Sequence, residues 1–217
     1  MDKIIIVDDH KIFRQGLKSL IVNERMAEVI AEACNGKEFL DILHKHSPDL
    51  VLMDIEMPEM NGVDATRLAI QNNPDLKILV LSTFGDELHY YNIIQAGAKG
   101  FVLKSSGINE LQTAIKDVAA GESYFSNELL RRIIANVGAE AKAEAPETTS
   151  GDKLTKRELE ILQHVANGLS NDEIADKLHI SLTTVKGHRS SILAKTGSKN
   201  TASLIIHAIK NNLIVIN

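Results

Sequence analysis

Four apolar runs in the first half of the chain each stop at a residue able to do chemistry. Ile4-Ile5-Ile6-Val7 ends at the pair Asp8-Asp9, and Leu50-Val51-Leu52-Met53 ends at Asp54. Ile78-Leu79-Val80-Leu81 stops at Ser82, and Phe101-Val102-Leu103 at Lys104. Clustered carboxylates repel one another and favour protonation unless a cation compensates. Three of them suit a hard divalent ion, and Mg²⁺ fits best, since it accepts a few carboxylates and keeps waters that phosphate can replace. Ser82 adds a hydroxyl donor, and Lys104 a compact positive charge suited to phosphate oxygens. A carboxylate in that company can attack a phosphoryl group, because ion and ammonium neutralise the charge on its equatorial oxygens.

These residues converge only if the four runs are neighbouring strands. Short continuous apolar runs bounded by turns read as strands buried on both faces. Helical patterns alternate with them: Phe13, Leu17, Leu20 and Ile21 share one face, others follow Asn35-Gly36 and Asn61-Gly62, and two more run near Glu87–Ala96 and from about Asn109 to Ala120. With Glu28–Cys34 as a further strand, five strand–helix units in about 120 residues imply a doubly wound, five-stranded parallel α/β sheet. In such sheets ligands sit outside the carboxyl ends of the strands, where all four runs end.

After residue 121 the pattern changes. A helical stretch over Glu128–Val137 is followed by GAEAKAEAPETTSGDK, which is polar, carries a proline and has no apolar period, as a linker does. The tail reads as a small all-α domain. Thr155-x-x-Glu158 and Ser170-x-x-Glu173 are capping boxes, Ser181 can cap a third helix, and Gly168 and Gly197 are stops. Helix, short turn, helix is the helix-turn-helix arrangement. With Val185 and Ile192 facing inward, the third helix presents Thr183, Lys186, Gly187 and Ser190 outward. Small and polar residues without acids suit a major groove. Arg189, Lys195 and Lys199 flank that face as candidate phosphate ligands.

Charge divides the chain in the same way. The net charge is −5, but residues 151–217 hold 9 Lys and Arg against 6 Asp and Glu, and no acid follows Asp176. An acidic front joined to a basic tail implies two domains with different partners. Cys34 is the single cysteine, so no internal disulfide forms, and with no apolar stretch of membrane length a cytoplasmic location is expected.

Residues 1–121 resemble a CheY-like receiver domain. The match is carried by Asp8-Asp9, by Asp54 with Met57-Pro58 and Asn61-Gly62, by Ser82 and by Phe101-x-x-Lys104, with spacings of 28 and 50 from Asp54 to Ser82 and Lys104. Residues 154–217 resemble the LuxR-type helix-turn-helix domain of NarL/FixJ response regulators. That match rests on Leu154-Thr155-x-Arg157-Glu158, on Gly168-Leu169-Ser170-Asn171-x-Glu173-Ile174-Ala175 and on Thr184-Val185-Lys186-x-His188-Arg189. Residues 122–153 fall between them as helical extension and linker. Two departures stand out: Phe101 replaces the commoner tyrosine, and Ser105 follows Lys104 where many receivers have proline.

The resemblance implies a DNA-binding transcriptional regulator rather than an enzyme. Asp54 would accept a phosphoryl group from a sensor histidine kinase. Asp8, Asp9, Asp54 and the Glu56 carbonyl would hold Mg²⁺, Ser82 and Lys104 would engage the phosphoryl oxygens, and Phe101 would act as the switch aromatic. The active form would be a homodimer on promoter DNA, paired through Leu204, Ile205, Ala208 and Ile209 of the final helix. Two rivals are a phosphorylation-independent docking regulator and a Mg²⁺-dependent phosphohydrolase with Asp54 as nucleophile and Glu56 as general acid. The separate helical tail and Pro58 fit the second poorly.

Overall fold

The computed structural model describes residues 1–83, 87–125, 154–211, 213 and 214, with the side chains of 87–89 set aside. The expected helix at 128–137 and the linker lie outside the described residues. The chain forms two compact units, Met1–Tyr124 and Phe125–Asn217.

The first unit is a parallel sheet with helices between its strands. In chain order these are β1 (Lys3–Val7), α1 (Lys11–Asn23), β2 (Glu28–Ala33), α2 (Gly36–Leu43), β3 (Leu50–Asp54), α3 (Gly62–Asn72), β4 (Ile78–Ser82), α4 (Glu87–Ala96), β5 (Gly100–Leu103), α5 (Ile108–Ala119) and β6 (Tyr124–Phe125). The sheet order is β2-β1-β3-β4-β5-β6. The expectation of five strands is therefore corrected to six. The extra strand has only two half-buried residues, too few for an alternating pattern to show.

Every residue of β3 and β4 is buried, as their unbroken apolar runs require. Alternate residues face opposite sides of a strand. Ile4, Ile6, Leu50, Leu52, Leu79, Leu81 and Val102 pack on one side against Leu17 and Ile21 of α1 and Leu111, Ile115 and Val118 of α5. The strand order reverses beside β1, because β2 and β3 flank it. Val7 pairs with Met53 across that reversal, so the next residues, Asp8 and Asp54, emerge side by side.

The second unit holds α6 (Lys156–Ala166), α7 (Asn171–Leu178), α8 (Leu182–Thr196) and α9 (Thr201–Lys210). Both expected capping boxes form, Thr155 with Glu158 and Ser170 with Glu173, and Ser181 caps α8. Gly197 ends α8 at φ 64°, left-handed backbone that favours glycine. Ile161, Leu162, Ile174, Val185 and Ile192 are fully buried. No described helix is long and apolar enough to cross a membrane.

Candidate functional site

Asp54 is the last residue of β3 and is 4% exposed. Its Oδ1 accepts a 2.8 Å hydrogen bond from the Ile55 amide, and its Oδ2 lies 2.7 Å from the Lys104 ammonium. The same ammonium is 2.8 Å from Asp8 Oδ2, so one partly buried cation bridges two buried acids. Burial is the main cause that raises the Asp54 pKa to about 6, against the opposing hydrogen bond and charge of Lys104; Asp8 adds a smaller upward push. For Lys104, burial pulls the pKa down, but hydrogen bonds to Asp54 and Asp8 outweigh it and the net shift is upward.

The loop after β3 is held by its own backbone. Gly62 N–H donates to the Ile55 carbonyl at 2.8 Å, and Asn61 caps α3 by accepting from Asp64 N–H at 2.9 Å. Glu56 lies in this loop with an exposed side chain. Ser82 ends β4, is fully buried, and its hydroxyl donates to the Thr83 carbonyl at 3.1 Å. Phe101 is 3% exposed and meets Tyr90 edge to face, ring centres 4.8 Å apart.

Three residues near the acids were not singled out from the sequence. His10 follows Asp9, and the ligand atoms of Asp8, Asp9, His10 and Asp54 all lie within 4.8 Å of one another. Arg14 donates to the Asp8 carbonyl and to Glu32, joining the site to β2. The ring of Phe13, expected only as a core residue, lies 4.8 Å from the Lys104 ammonium. The position of His10 directly after two acids was a usable signal; the reach of Arg14 and the stacking of Phe13 left no trace in the spacing.

In the second unit α8 exposes Thr183, Lys186, Gly187 and Ser190 along one face, while Val185 and Ile192 are buried and His188 is partly buried. Lys199 is exposed beyond the helix. Two expected phosphate ligands are engaged elsewhere. The Lys195 ammonium lies 2.8 Å and 2.9 Å from the two oxygens of Glu158, itself 3% exposed. Arg189 donates to Asn171 and, at 2.6 Å, to Thr201, tying α8 to the starts of α7 and α9. Lys195 thus has a structural role beside any contact with DNA, because leaving Glu158 buried without its cation would carry a penalty of several kcal/mol. Of the expected dimer residues, Leu204, Ile205 and Ala208 are at most 1% exposed and Ile209 is 9% exposed.

A doubly wound sheet with a lysine-bridged acidic edge, joined to a capped helix-turn-helix unit, is the architecture of a receiver coupled to a DNA reader. Residues 4–116 match the response regulator receiver domain, and residues 152–208 match the luxR family of bacterial regulatory proteins. The chain is 36% identical to the transcriptional regulatory protein DegU of Brevibacillus brevis, over 98% of this chain and 94% of that one. It is 36% identical to the oxygen regulatory protein NreC of Staphylococcus aureus, over 98% and 99% of the two chains. Among solved structures, the response regulator ChrA of a heme-sensing two-component system aligns with TM-score 0.53 and 31% identity over 98% of both chains. The chain thus belongs to the NarL/FixJ family of two-component response regulators, phosphorylation-controlled DNA-binding regulators of transcription.

Proposed function

We propose that Asp54 is the phosphoacceptor and that a sensor histidine kinase is its donor. The observation that carries this is the contact of Asp54 Oδ2 with the Lys104 ammonium, 2.7 Å, at the carboxyl edge of the sheet. A carboxylate that attacks phosphorus needs a cation already in place for the incoming oxygens, and Lys104 stands there. Asp8, Asp9 and Asp54, with the Glu56 carbonyl, would hold Mg²⁺. The orphaned Oδ1 of Asp9, buried and without a hydrogen-bond partner, fits a cation ligand. The ion when bound supplies charge neutralisation at the phosphoryl oxygens.

Once Asp54 carries the phosphoryl group, Lys104 keeps its ion pair with the new oxygens. Ser82 turns its hydroxyl from the Thr83 carbonyl toward them. Phe101 follows the freed space, and the α4–β5–α5 face changes its preferred state. Phosphorylation shifts this equilibrium only by its differential stabilisation of the active state. The response is promoter binding as a homodimer, with Thr183, Lys186, Gly187 and Ser190 facing bases and Lys199 a phosphate.

Incubation with Mg²⁺ and acetyl phosphate, read by intact mass beside Asp54→Ala, tests the assignment. A hydroxylamine-labile phosphoryl adduct on the wild type alone is expected, with tighter DNA binding. An adduct that survives in Asp54→Ala would overturn it, and DNA affinity equal in both states would overturn the coupling.

A further inference from the structure

Resting on the reading of Asp8, Asp9 and Asp54 as a Mg²⁺ site, we propose that Arg14 is a positioning residue for it. Arg14 acts through the Asp8 carbonyl and holds the Asp8–Asp9 turn in its cation-binding shape. It stands on α1, and its side chain is 15% exposed. Its Nη1 donates to the backbone carbonyl of Asp8, and its Nε donates at 3.2 Å to Oε2 of Glu32 on β2. The other oxygen of Glu32, Oε1, lies 2.7 Å from the Lys18 ammonium, one turn further along α1. The charge of Arg14 is thus balanced by Glu32, and what reaches the site is a directed, charge-assisted N–H bond.

The carbonyl it holds belongs to the peptide that joins Asp8 to Asp9. Rotation about the Cα–C bond of Asp8 moves this carbonyl and the whole of Asp9 together, so gripping the carbonyl fixes where Asp9 begins. Three further contacts hold Asp8. Its N–H donates to the Ala33 carbonyl at 3.1 Å, its Oδ1 accepts from His10 N–H at 2.8 Å, and its Oδ2 lies 2.8 Å from the Lys104 ammonium. The first acts on the near side of that rotating bond. The other two end on side-chain oxygens, whose own torsions can follow a backbone shift. The bond from Arg14 ends on the backbone between the two acids.

Only an arginine makes both contacts at once. Its planar fork carries Nε and Nη1 on fixed vectors, so Glu32 on β2 aims the group that grips Asp8. A lysine carries the charge but has a single nitrogen on a flexible stem. Groups that orient the ligands of an ion, rather than bind it, typically set its affinity by about 10–100-fold.

The test uses the full chain with Arg14→Ala and Arg14→Lys, and with Lys18→Ala as a control that loosens Glu32 without touching Asp8. Mg²⁺ affinity is measured by calorimetry, and phosphorylation by acetyl phosphate is followed by intact mass across a Mg²⁺ series. Both Arg14 variants should bind Mg²⁺ on the order of tenfold more weakly. Their phosphorylation should need correspondingly more Mg²⁺ and, once saturated, come within about threefold of the wild-type rate. Lys18→Ala should match the wild type in both. Circular dichroism and urea midpoints follow folding separately, and Arg14→Lys carries the test if Arg14→Ala does not fold. An Arg14→Ala protein that is less stable yet binds Mg²⁺ as the wild type does overturns the positioning role. So does wild-type affinity in Arg14→Lys, since charge alone would then suffice, or an equal loss in Lys18→Ala. Each of these leaves the cation site standing, whereas a wild type that binds no Mg²⁺ overturns both.

Discussion

A Cβ placed on Gly62 would lie 1.9 Å from the carbonyl oxygen of Asp54. The obstruction is backbone, held by the hydrogen bond from Gly62 N–H to the Ile55 carbonyl, so no side-chain rotation relieves it. Gly62→Ala must push β3 and α3 apart at Asp54, the proposed phosphoacceptor. We expect a loss of at least about 1–3 kcal/mol in stability, the range for overpacking. Phosphorylation by acetyl phosphate should fall further than stability implies, since misplacing a reacting atom by ~1 Å can cost about 100-fold. Chemical denaturation and the initial rate of adduct formation check the two parts separately.

Lys104→Gln removes the one ammonium that bridges Asp8 and Asp54. Both acids stay buried, and breaking such a pair costs about 3–5 kcal/mol when the charge remains. Proton uptake by Asp54 relieves part of this, so the cost depends on pH. The folded pKa of Asp54 is already raised to about 6. A raised carboxylate pKa means the folded state holds the proton more tightly, so its contribution is greatest below the unfolded value and is lost as pH rises through the folded one. Without Lys104 the folded value moves further up. The stability gap between variant and wild type should therefore be wider at pH 8 than at pH 5. Saturating Mg²⁺ should narrow it at pH 8 by restoring a cation. Urea midpoints at the two pH values, with and without Mg²⁺, measure this; a gap independent of pH would refute it.

How much of this was legible depended on what each residue's neighbours are. β1, β3 and β4 were readable because burial on both faces leaves an unbroken apolar run, and the residue after β1 and the last residues of β3 and β4 marked the candidate site. Gly62 was visible as a turn residue, but its contact with Asp54 depends on how closely α3 approaches β3. β6 escaped because Tyr124–Phe125 pairs through backbone groups that any residue supplies. The sequence shows the charge of Lys195 and Arg189 but not their partners, and Glu158 stands 37 residues before Lys195. For α9, composition gave an apolar helix without saying what covers it.

Glu158 sets an acid limit on the DNA-reading unit. Its carboxylate accepts from Lys195, from the Thr155 amide at 2.7 Å and from the Ser191 hydroxyl at 2.7 Å. The hydrogen bond from Lys195, followed by that from Thr155, lowers its pKa to about 2. The depressed value means its contribution is present above the unfolded pKa, about 4.3, and is lost as pH falls through about 2. Glu158→Gln keeps the shape but loses the charge, and should cost about 1.5–3 kcal/mol at neutral pH, the scale of hydrogen bonds to charged groups. It should also flatten the decline between pH 4 and pH 2. Hydrogen exchange of α6 and α8 amides in the full chain follows this unit without confusion from the other.

Lys186 and Arg189 are three residues apart on α8 and should fail in different ways. Lys186 is exposed on the face proposed to enter the groove, whereas Arg189 joins α8 to Asn171 and Thr201. Lys186→Ala should shift the melting temperature by no more than about 2–4 °C, since exposed substitutions rarely exceed about 0.5 kcal/mol. If Lys186 meets a phosphate, the slope of log affinity against log salt falls by about 0.9, uniformly across DNA sequences. If it meets a base, the slope stays and discrimination at one position relaxes, by about 1–3 kcal/mol. Arg189→Ala should instead lower stability by about 1–3 kcal/mol, because Asn171 and Thr201 lose a charged partner. Well below its melting point it should retain most of its DNA affinity and an unchanged salt slope. Melting curves together with salt titrations on one duplex separate the two behaviours, and an altered salt slope in Arg189→Ala would return that residue to the DNA-facing set.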